Sequence, residues 1–312
     1  MASFIRTSLL LAAALLPLSG CLLRTHKIEP RAVSTAPLLQ ASLEQLVERI
    51  NSEAAKVKSM NATVDIASSV GGEKKGKVTE YQEIRGYVLV RKPEMLRMIG
   101  LYPVLRNKAF DMVSDGDRFK LYIPTKNKFI VGSREVTRPS KQPLENLRPQ
   151  HIMDALLVKE IDPKNEIAVL ETGVESVKDA KKRDVDQANY IVSVAHHDVD
   201  GKWYLARKIF FSRTDLFPRK QLLYDKAGNV ATIAVYENYS EMAGIMFPNI
   251  IQVDRPQEEY SIQLGMVKLK LNEPLKDAQF ELTQPQGAQV VHLDDQPQVT
   301  SATPQSPKQA NR

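Results

Sequence analysis

A mainly β fold with a minor helical part, built as one strongly curved antiparallel sheet or barrel, is predicted by three features of this 312-residue chain. Beyond residue 60 the sequence reads as short segments in which apolar and polar residues alternate, with Gly, Pro, Asn and Asp between them. Only two segments carry the three-and-four spacing of an amphipathic helix. The links between alternating segments are short turns, which join antiparallel neighbours and leave no room for the crossover helices of a doubly wound sheet.

Residues 1–20 read as a lipoprotein signal peptide. Arg6 supplies a short basic region, and residues 9–16 form an apolar run too short to span a bilayer. Leu18, Ser19 and Gly20 before Cys21 have the form of a lipobox, whose small residues admit a signal peptidase to the bond preceding the cysteine. Cys21 is the one cysteine of the chain, so it lacks a disulfide partner, and a diacylglyceryl thioether accounts for a lone thiol in an oxidising compartment. An ordinary secretory signal that happens to end near a cysteine is the alternative. The expectation is a chain cut before Cys21, acylated there with palmitate-like chains and held on the membrane, because two or three acyl chains anchor far more firmly than one. Leu22, rather than Asp, follows the cysteine. By resemblance to bacterial sorting rules this implies the outer membrane, periplasmic face, in preference to the inner membrane.

Residues 21–37, with Pro30, Ser34, Thr35 and Pro37 and no periodicity, suit a tether. Leu39, Leu43, Leu46, Val47, Ile50, Ala54 and Val57 then line one face of a helix of about twenty residues. Strands are predicted at residues 62–69, 79–91, 95–101, 109–114, 118–123 and 128–131, and a helix at 144–158. Further strands follow at 167–171, 188–195, 203–212, 219–224, 230–236, 245–253 and 259–271. Residues 178–186, with alternating charges, read as a solvated loop. The folded domain is expected over residues 38–295. The tail at 296–312, rich in Gln, Pro, Ser and Thr, is expected to be disordered, so that truncation after Asp295 leaves stability unchanged. Phe119, Leu121 and Ile123 alternate with Arg118, Lys120 and Tyr122, which gives that strand one buried face. A curved sheet must cover its concave apolar face, so covering helices and an enclosed apolar space are the expected architecture.

The net charge is +6 with pI near 9.2, but acids and bases interleave. There is no stripe of Lys and Arg interleaved with stacking aromatics, so nucleic acid is not an expected partner, whereas weak attraction to anionic headgroups is. His196, His197 and Asp198 are the one cluster of metal-ligating types. Neighbours on a strand point to opposite faces, so a polar hairpin turn is the better reading and no metal is expected. No Gly-x-Ser-x-Gly elbow, phosphate loop or dinucleotide fingerprint is present, so neither an enzyme nor a cofactor is expected.

Two stretches resemble the lipoprotein carrier and receptor proteins of the outer-membrane lipoprotein localisation pathway, LolA and LolB. The first begins Gly86-Tyr87-Val88-Leu89-Val90-Arg91-Lys92-Pro93. It continues through Leu96-Arg97 to Val113-Ser114-Asp115-Gly116-Asp117 and Leu121-Tyr122-Ile123-Pro124. The second is Asp277-Ala278-Gln279-Phe280-Glu281-Leu282, followed by Pro285, Gly287 and Val290, which is similar to the family's closing strand and tail. Together they cover about a quarter of the chain, and none is a catalytic signature. The resemblance implies an unclosed antiparallel β-barrel covered by helices, whose apolar interior accepts acyl chains of lipids or lipoproteins. The anchor at Cys21 matches the membrane-bound receptor, while the two motifs are closer to the carrier, and residues 159–187 look like an insertion.

Tyr87, Leu89, Leu96, Met98, Phe119, Trp203 and Leu205 have two readings, plain core or acyl-contact wall, since Met and aromatics adapt to flexible apolar ligands. Leu101, Tyr102 and Leu105 sit where two strands should turn, yet are apolar. An exposed turn there would suit membrane or acyl contact, and a buried turn is the alternative. Two functions are carried forward. One is a non-catalytic lipoprotein that binds or transfers a lipid or lipidated protein, and the other is an envelope-assembly lipoprotein using the domain to bind protein.

Overall fold

The computed structural model describes residues 32–74, 76–133, 148–178 and 181–293. The signal peptide, the lipobox, Cys21, most of the tether and the tail from 296 onward lie outside the described residues. The chain divides into two units, Ala36–Glu175 with Ala188–Arg312, and Met1–Thr35 with Ser176–Gln187. In the smaller unit β1 (Ala32–Val33), expected as tether, pairs in parallel with Val185 and Asp186, and the Ser34 N–H donates to the Asp186 carbonyl at 2.9 Å.

Fourteen further strands follow among the described residues. The first six are β2 (Ser59–Gly72), β3 (Lys77–Arg91), β4 (Met95–Leu101), β5 (Lys108–Ser114), β6 (Arg118–Ile123) and β7 (Lys128–Ser133). Next come β8 (Glu166–Lys178), β9 (Asp184–His197), β10 (Trp203–Ser212), β11 (Pro218–Tyr224), β12 (Val230–Met242), β13 (Ile245–Arg255), β14 (Tyr260–Leu271) and β15 (Gln289–His292). The expected loop at 178–186 is shorter than predicted, because β8 runs on to Lys178 and β9 begins at Asp184. Most of β8 is exposed on alternate residues, so its polar residues belong to an edge ribbon rather than a loop.

The spatial order runs β9-β10-β11-β12-β13-β14-β2-β3-β4-β5-β6-β7-β15, with β8 beside β9. Neighbours are antiparallel except that β15 runs parallel to β7. The two ends of this order do not pair among the described residues, so the sheet is unclosed. It is also curled. One core cluster joins Met98, Leu121 and Ile130 of β4, β6 and β7 to Tyr236, Ile251 and Leu264 of β12, β13 and β14. Strands lie about 4.8 Å apart, so β7 and β12, eight places apart in the order, would be separated by almost 40 Å in a flat sheet.

Helix α1 (Leu43–Lys56) starts later than its apolar spacing suggests. Ser42 forms a capping box with Gln45, its hydroxyl accepting from the Gln45 N–H at 3.3 Å while Gln45 Oε1 accepts from the Ser42 N–H at 2.9 Å. Leu39 therefore precedes the helix and is exposed. Leu46 and Ile50 join Tyr190, Val192, Val194, Ile209 and Phe211 in a second core cluster. Helix α2 (Pro149–Leu156) begins on a proline, whose missing N–H costs nothing at a first turn. Residues 144–147 of the predicted helix lie outside the described residues. Ile152, Met153, Ala155 and Leu156 share the first core cluster with the strands, and the buried Tyr236 hydroxyl donates to the Ala155 carbonyl at 2.8 Å.

The closing strand expected at 277–282 is instead a 3-10 turn (Asp277–Phe280) and an extended strap on the outer face of the sheet. Phe280 and Leu282 are buried at alternate positions, which mimics a strand in the sequence. The strap carbonyls bond to arginine forks rather than to a ladder. Arg91 donates to the Leu275 carbonyl at 2.8 Å, and Arg97 to the Gln279 carbonyl at 2.9 Å. Arg97 also grips the fully buried Asp111 carboxylate at 3.0 and 2.8 Å, and Lys108 joins it at 2.6 Å. Leu282 and Ala288 then pack on Val113 and Phe129, and the chain enters β15.

Candidate functional site

On the inner face, at the end of the sheet reached by the β4–β5 turn, lies an apolar cavity of about 380 Å³. Its wall is built strand by strand from Ile66 and Val70 of β2, Tyr81 and Ile84 of β3 and Met98 of β4. Phe110 of β5, Leu121 and Ile123 of β6 and Tyr260 and Ile262 of β14 complete it. Its polar groups are Ser68, Ser69, Gln82, Thr125, Lys126 and Ser261 together with the tyrosine hydroxyls. Tyr260 is buried, and desolvation raises its pKa far above the usual phenol range, so it stays neutral. Tyr81 and Tyr102 are 47% and 39% exposed and mark the mouth.

Local irregularities shape this space. Strict alternation would set Tyr81 and Ile84 on opposite faces, but a bulge pairs Ile66 with Ile84 and Ser68 with Tyr81, so both reach the wall. Gly100 makes room behind the wall, since a Cβ there would lie 2.5 Å from the Phe110 ring and 2.7 Å from Ile84 Cδ1. The β4–β5 turn is closed by the Tyr102 N–H donating to the Asn107 carbonyl at 2.9 Å, with Arg106 left-handed at φ 51°. Val104 and Leu105 project from it at 89% and 75% exposed, while Leu101 is half-buried.

The residues singled out in the sequence scatter around this cavity. Met98 and Tyr102 line it. Leu96 and Phe119 are buried in the adjoining core and are absent from the lining, Phe119 lying beneath the Arg148 guanidinium at 4.8 Å. Tyr87 and Leu89 correct the expectation. Val88 and Val90 face the core, so their neighbours point outward, and Leu89 sits across from Arg97 on the strap side. Trp203 and Leu205 are also turned away. The register shift between Leu205 and Arg207 sets them on the face opposite Ile209 and Phe211, and Trp203 packs against His197 with ring centroids 4.8 Å apart. Tyr81, Phe110 and Tyr260 were missed. Tyr81 depends on the bulge, and Tyr260 stands at the first position of its strand.

His196 and His197 end β9 on opposite faces, and the turn lies after them, where the Asp198 N–H donates to the Lys202 carbonyl at 2.8 Å. A smaller apolar cavity of about 100 Å³ lies between α1 and the β12–β13 hairpin, with Ile50, Phe217 and Tyr239 in its wall. There Tyr239 stacks on Phe217 at 4.9 Å and donates to the Pro218 carbonyl at 2.7 Å, and burial holds its pKa far above the ordinary value. A third space, a groove of about 860 Å³ beside α2, is polar. Its Arg255 is committed to Glu258 at 2.6 and 3.0 Å and to the Thr232 hydroxyl at 2.8 Å.

No family model matches the chain, and no curated protein does. Solved structures that align with this chain include a LolA superfamily protein from Nitrosomonas europaea, 16% identical, covering 78% of this chain and 99% of that one with a TM-score of 0.47. A DUF1329 family protein from Desulfovibrio piger is 16% identical over 76% of this chain and 94% of its own, with a TM-score of 0.45. A putative outer membrane lipoprotein-sorting protein domain from Vibrio parahaemolyticus is 13% identical over 75% and 97%, with a TM-score of 0.43.

Proposed function

We propose that this LolA-like chain is a non-catalytic, lipid-anchored protein of the bacterial outer membrane that takes an acyl chain, from a lipid or a lipidated protein, into its apolar cavity. The cavity of about 380 Å³ with an aromatic mouth carries this reading, because its size falls in the range of small-molecule sites and its wall is hydrocarbon from six strands. Among the described residues its polar groups are hydroxyls, one amide and one ammonium, a set that can orient a headgroup but offers neither imidazole nor carboxylate as a base. The exposed Val104 and Leu105 beside the mouth would lead a chain in from a membrane or a partner. Ala109 lines the cavity, so Ala109→Trp fills it with hydrocarbon and adds no buried polar group that lacks a partner beyond the indole N–H. This variant is expected to keep the wild-type unfolding free energy within about 1 kcal/mol and to lose binding of a fluorescent fatty-acid probe. Unchanged probe binding would remove the cavity as the site. The alternative, a protein-binding module, draws on Ile167, Val169 and Val174, all more than half exposed along the edge strand β8. It becomes the better reading should the wild type bind no probe at all.

A further inference from the structure

We propose that the cavity is gauged for one acyl chain and for an anionic head, so that its ligand is a single-chain anionic amphiphile rather than a lipid with two or three chains. The inference rests on the acyl-binding reading above and narrows it by volume and charge.

A cavity of about 150 Å³ is filled by one benzene ring, or roughly 25 Å³ per carbon. On that scale the 380 Å³ here admits roughly 15 carbons, one chain of ordinary membrane length. Three such chains would need on the order of 1,200 Å³. The other apolar cavity, about 100 Å³, has space for only about four carbons and cannot take a second chain. Met98 and Leu121, on the side of the space away from the Tyr81 and Tyr102 mouth, belong to the packed core.

Charge at the wall sets the head. Lys126, exposed at the end of the turn Pro124–Lys126, is the one charged residue among the described residues that line the cavity, and no carboxylate accompanies it. Thr125, Tyr81 and Tyr102 add hydroxyls at the same rim. A carboxylate or phosphate there gains an ammonium partner and hydroxyl donors, whereas a cationic head meets like charge. The two natural sources of this chemistry are a free fatty acid and a lysophospholipid.

The test uses the full chain carrying Cys21→Ala, titrated below micellar concentration with saturated fatty acids of 8 to 20 carbons, with lysophosphatidylglycerol, with 1-monomyristin and with a diacyl phosphatidylglycerol, while native mass spectrometry counts the bound molecules. Affinity is expected to rise roughly fourfold per methylene, the transfer increment of a buried CH₂, and to level off near 14 to 16 carbons, about the count set by volume. One molecule should be bound per chain. Lys126→Glu should weaken myristate and the lysophospholipid about tenfold, because the reversal removes one rim attraction and adds a repulsion of similar size, and leave 1-monomyristin unchanged. Binding of both anions supports a shared head site, and a preference for one identifies the source. Affinity that keeps rising to 20 carbons, stoichiometric uptake of the diacyl lipid, or indifference of myristate to Lys126→Glu would overturn the proposal while leaving acyl binding intact. Failure of every chain to bind would overturn both.

Discussion

The Tyr236 hydroxyl is fully buried, and its one bond, to the Ala155 carbonyl at 2.8 Å, ties β12 to α2. Desolvation raises its pKa well above the ordinary phenol value, and the same cause acts on Tyr239 and Tyr260. The folded chain therefore keeps protons that the unfolded chain releases above about pH 10. Stability from these groups is complete below that pH and is lost as pH rises through and beyond it. The urea midpoint is expected to stay level from pH 7 to 9 and to fall above about pH 10, with a shallower fall in Tyr236→Phe. An equal slope in both would remove Tyr236 from the account. Asp111 makes the opposite kind of demand. Its carboxylate is fully buried against Arg97 and Lys108, so Asp111→Ala leaves a guanidinium without its partner and is expected to cost about 3–5 kcal/mol by chemical denaturation. Asp111→Leu with Arg97→Met should recover most of that loss, because an apolar pair of similar volume carries no desolvation penalty.

Among the elements, the C-terminal strap does on the outer face what the core does within. It covers Val113 and Phe129 with Leu282 and Ala288, and it supplies carbonyls to Arg91 and Arg97. A chain ending after Glu273 is expected to melt lower by several degrees, at roughly 2–4 °C for each kcal/mol lost in a domain of this size, whereas one ending after Asp295 should melt with the intact protein. Calorimetry of the two separates strap from tail. One face of β3 was misread because its outward positions carry apolar residues too. The run Tyr87-Val88-Leu89-Val90 is apolar throughout although Tyr87 is exposed, so the alternation is lost. With no contrast between faces, a choice off by one residue sends every side chain to the wrong side. β6, with one wet face, was legible at once, and its boundaries stand as the alternation set them. The bulges at Ile66/Ser68 and at Leu205/Arg207 left no mark in composition, so the positions they redirect, Tyr81 and Leu205, could not be placed from spacing alone.

For the molecule as a whole, the kind of fold was readable because turn chemistry and period recur along more than 200 residues, while the cavity was not, because it depends on which distant strands the curl brings together. The anchor is the part of the functional proposal that rests on sequence alone, and it has its own test. Cys21→Ala is expected to leave a precursor that takes up no radiolabelled palmitate, and a labelled Cys21→Ala protein would sink the lipoprotein reading. The order of strands has a further result, for the time course of folding. β2 lies between β3, its neighbour in sequence, and β14, whose Leu271 pairs with Met60. Its second ladder must wait for a segment near the far end of the chain, and closing so long a loop is slow by comparison with forming a hairpin. Until β14 arrives, β2 shows an open row of amide and carbonyl groups, the kind of edge at which chains aggregate. A polypeptide delivered from its N-terminus thus remains incomplete, and adhesive along one strand, until nearly all of it has emerged.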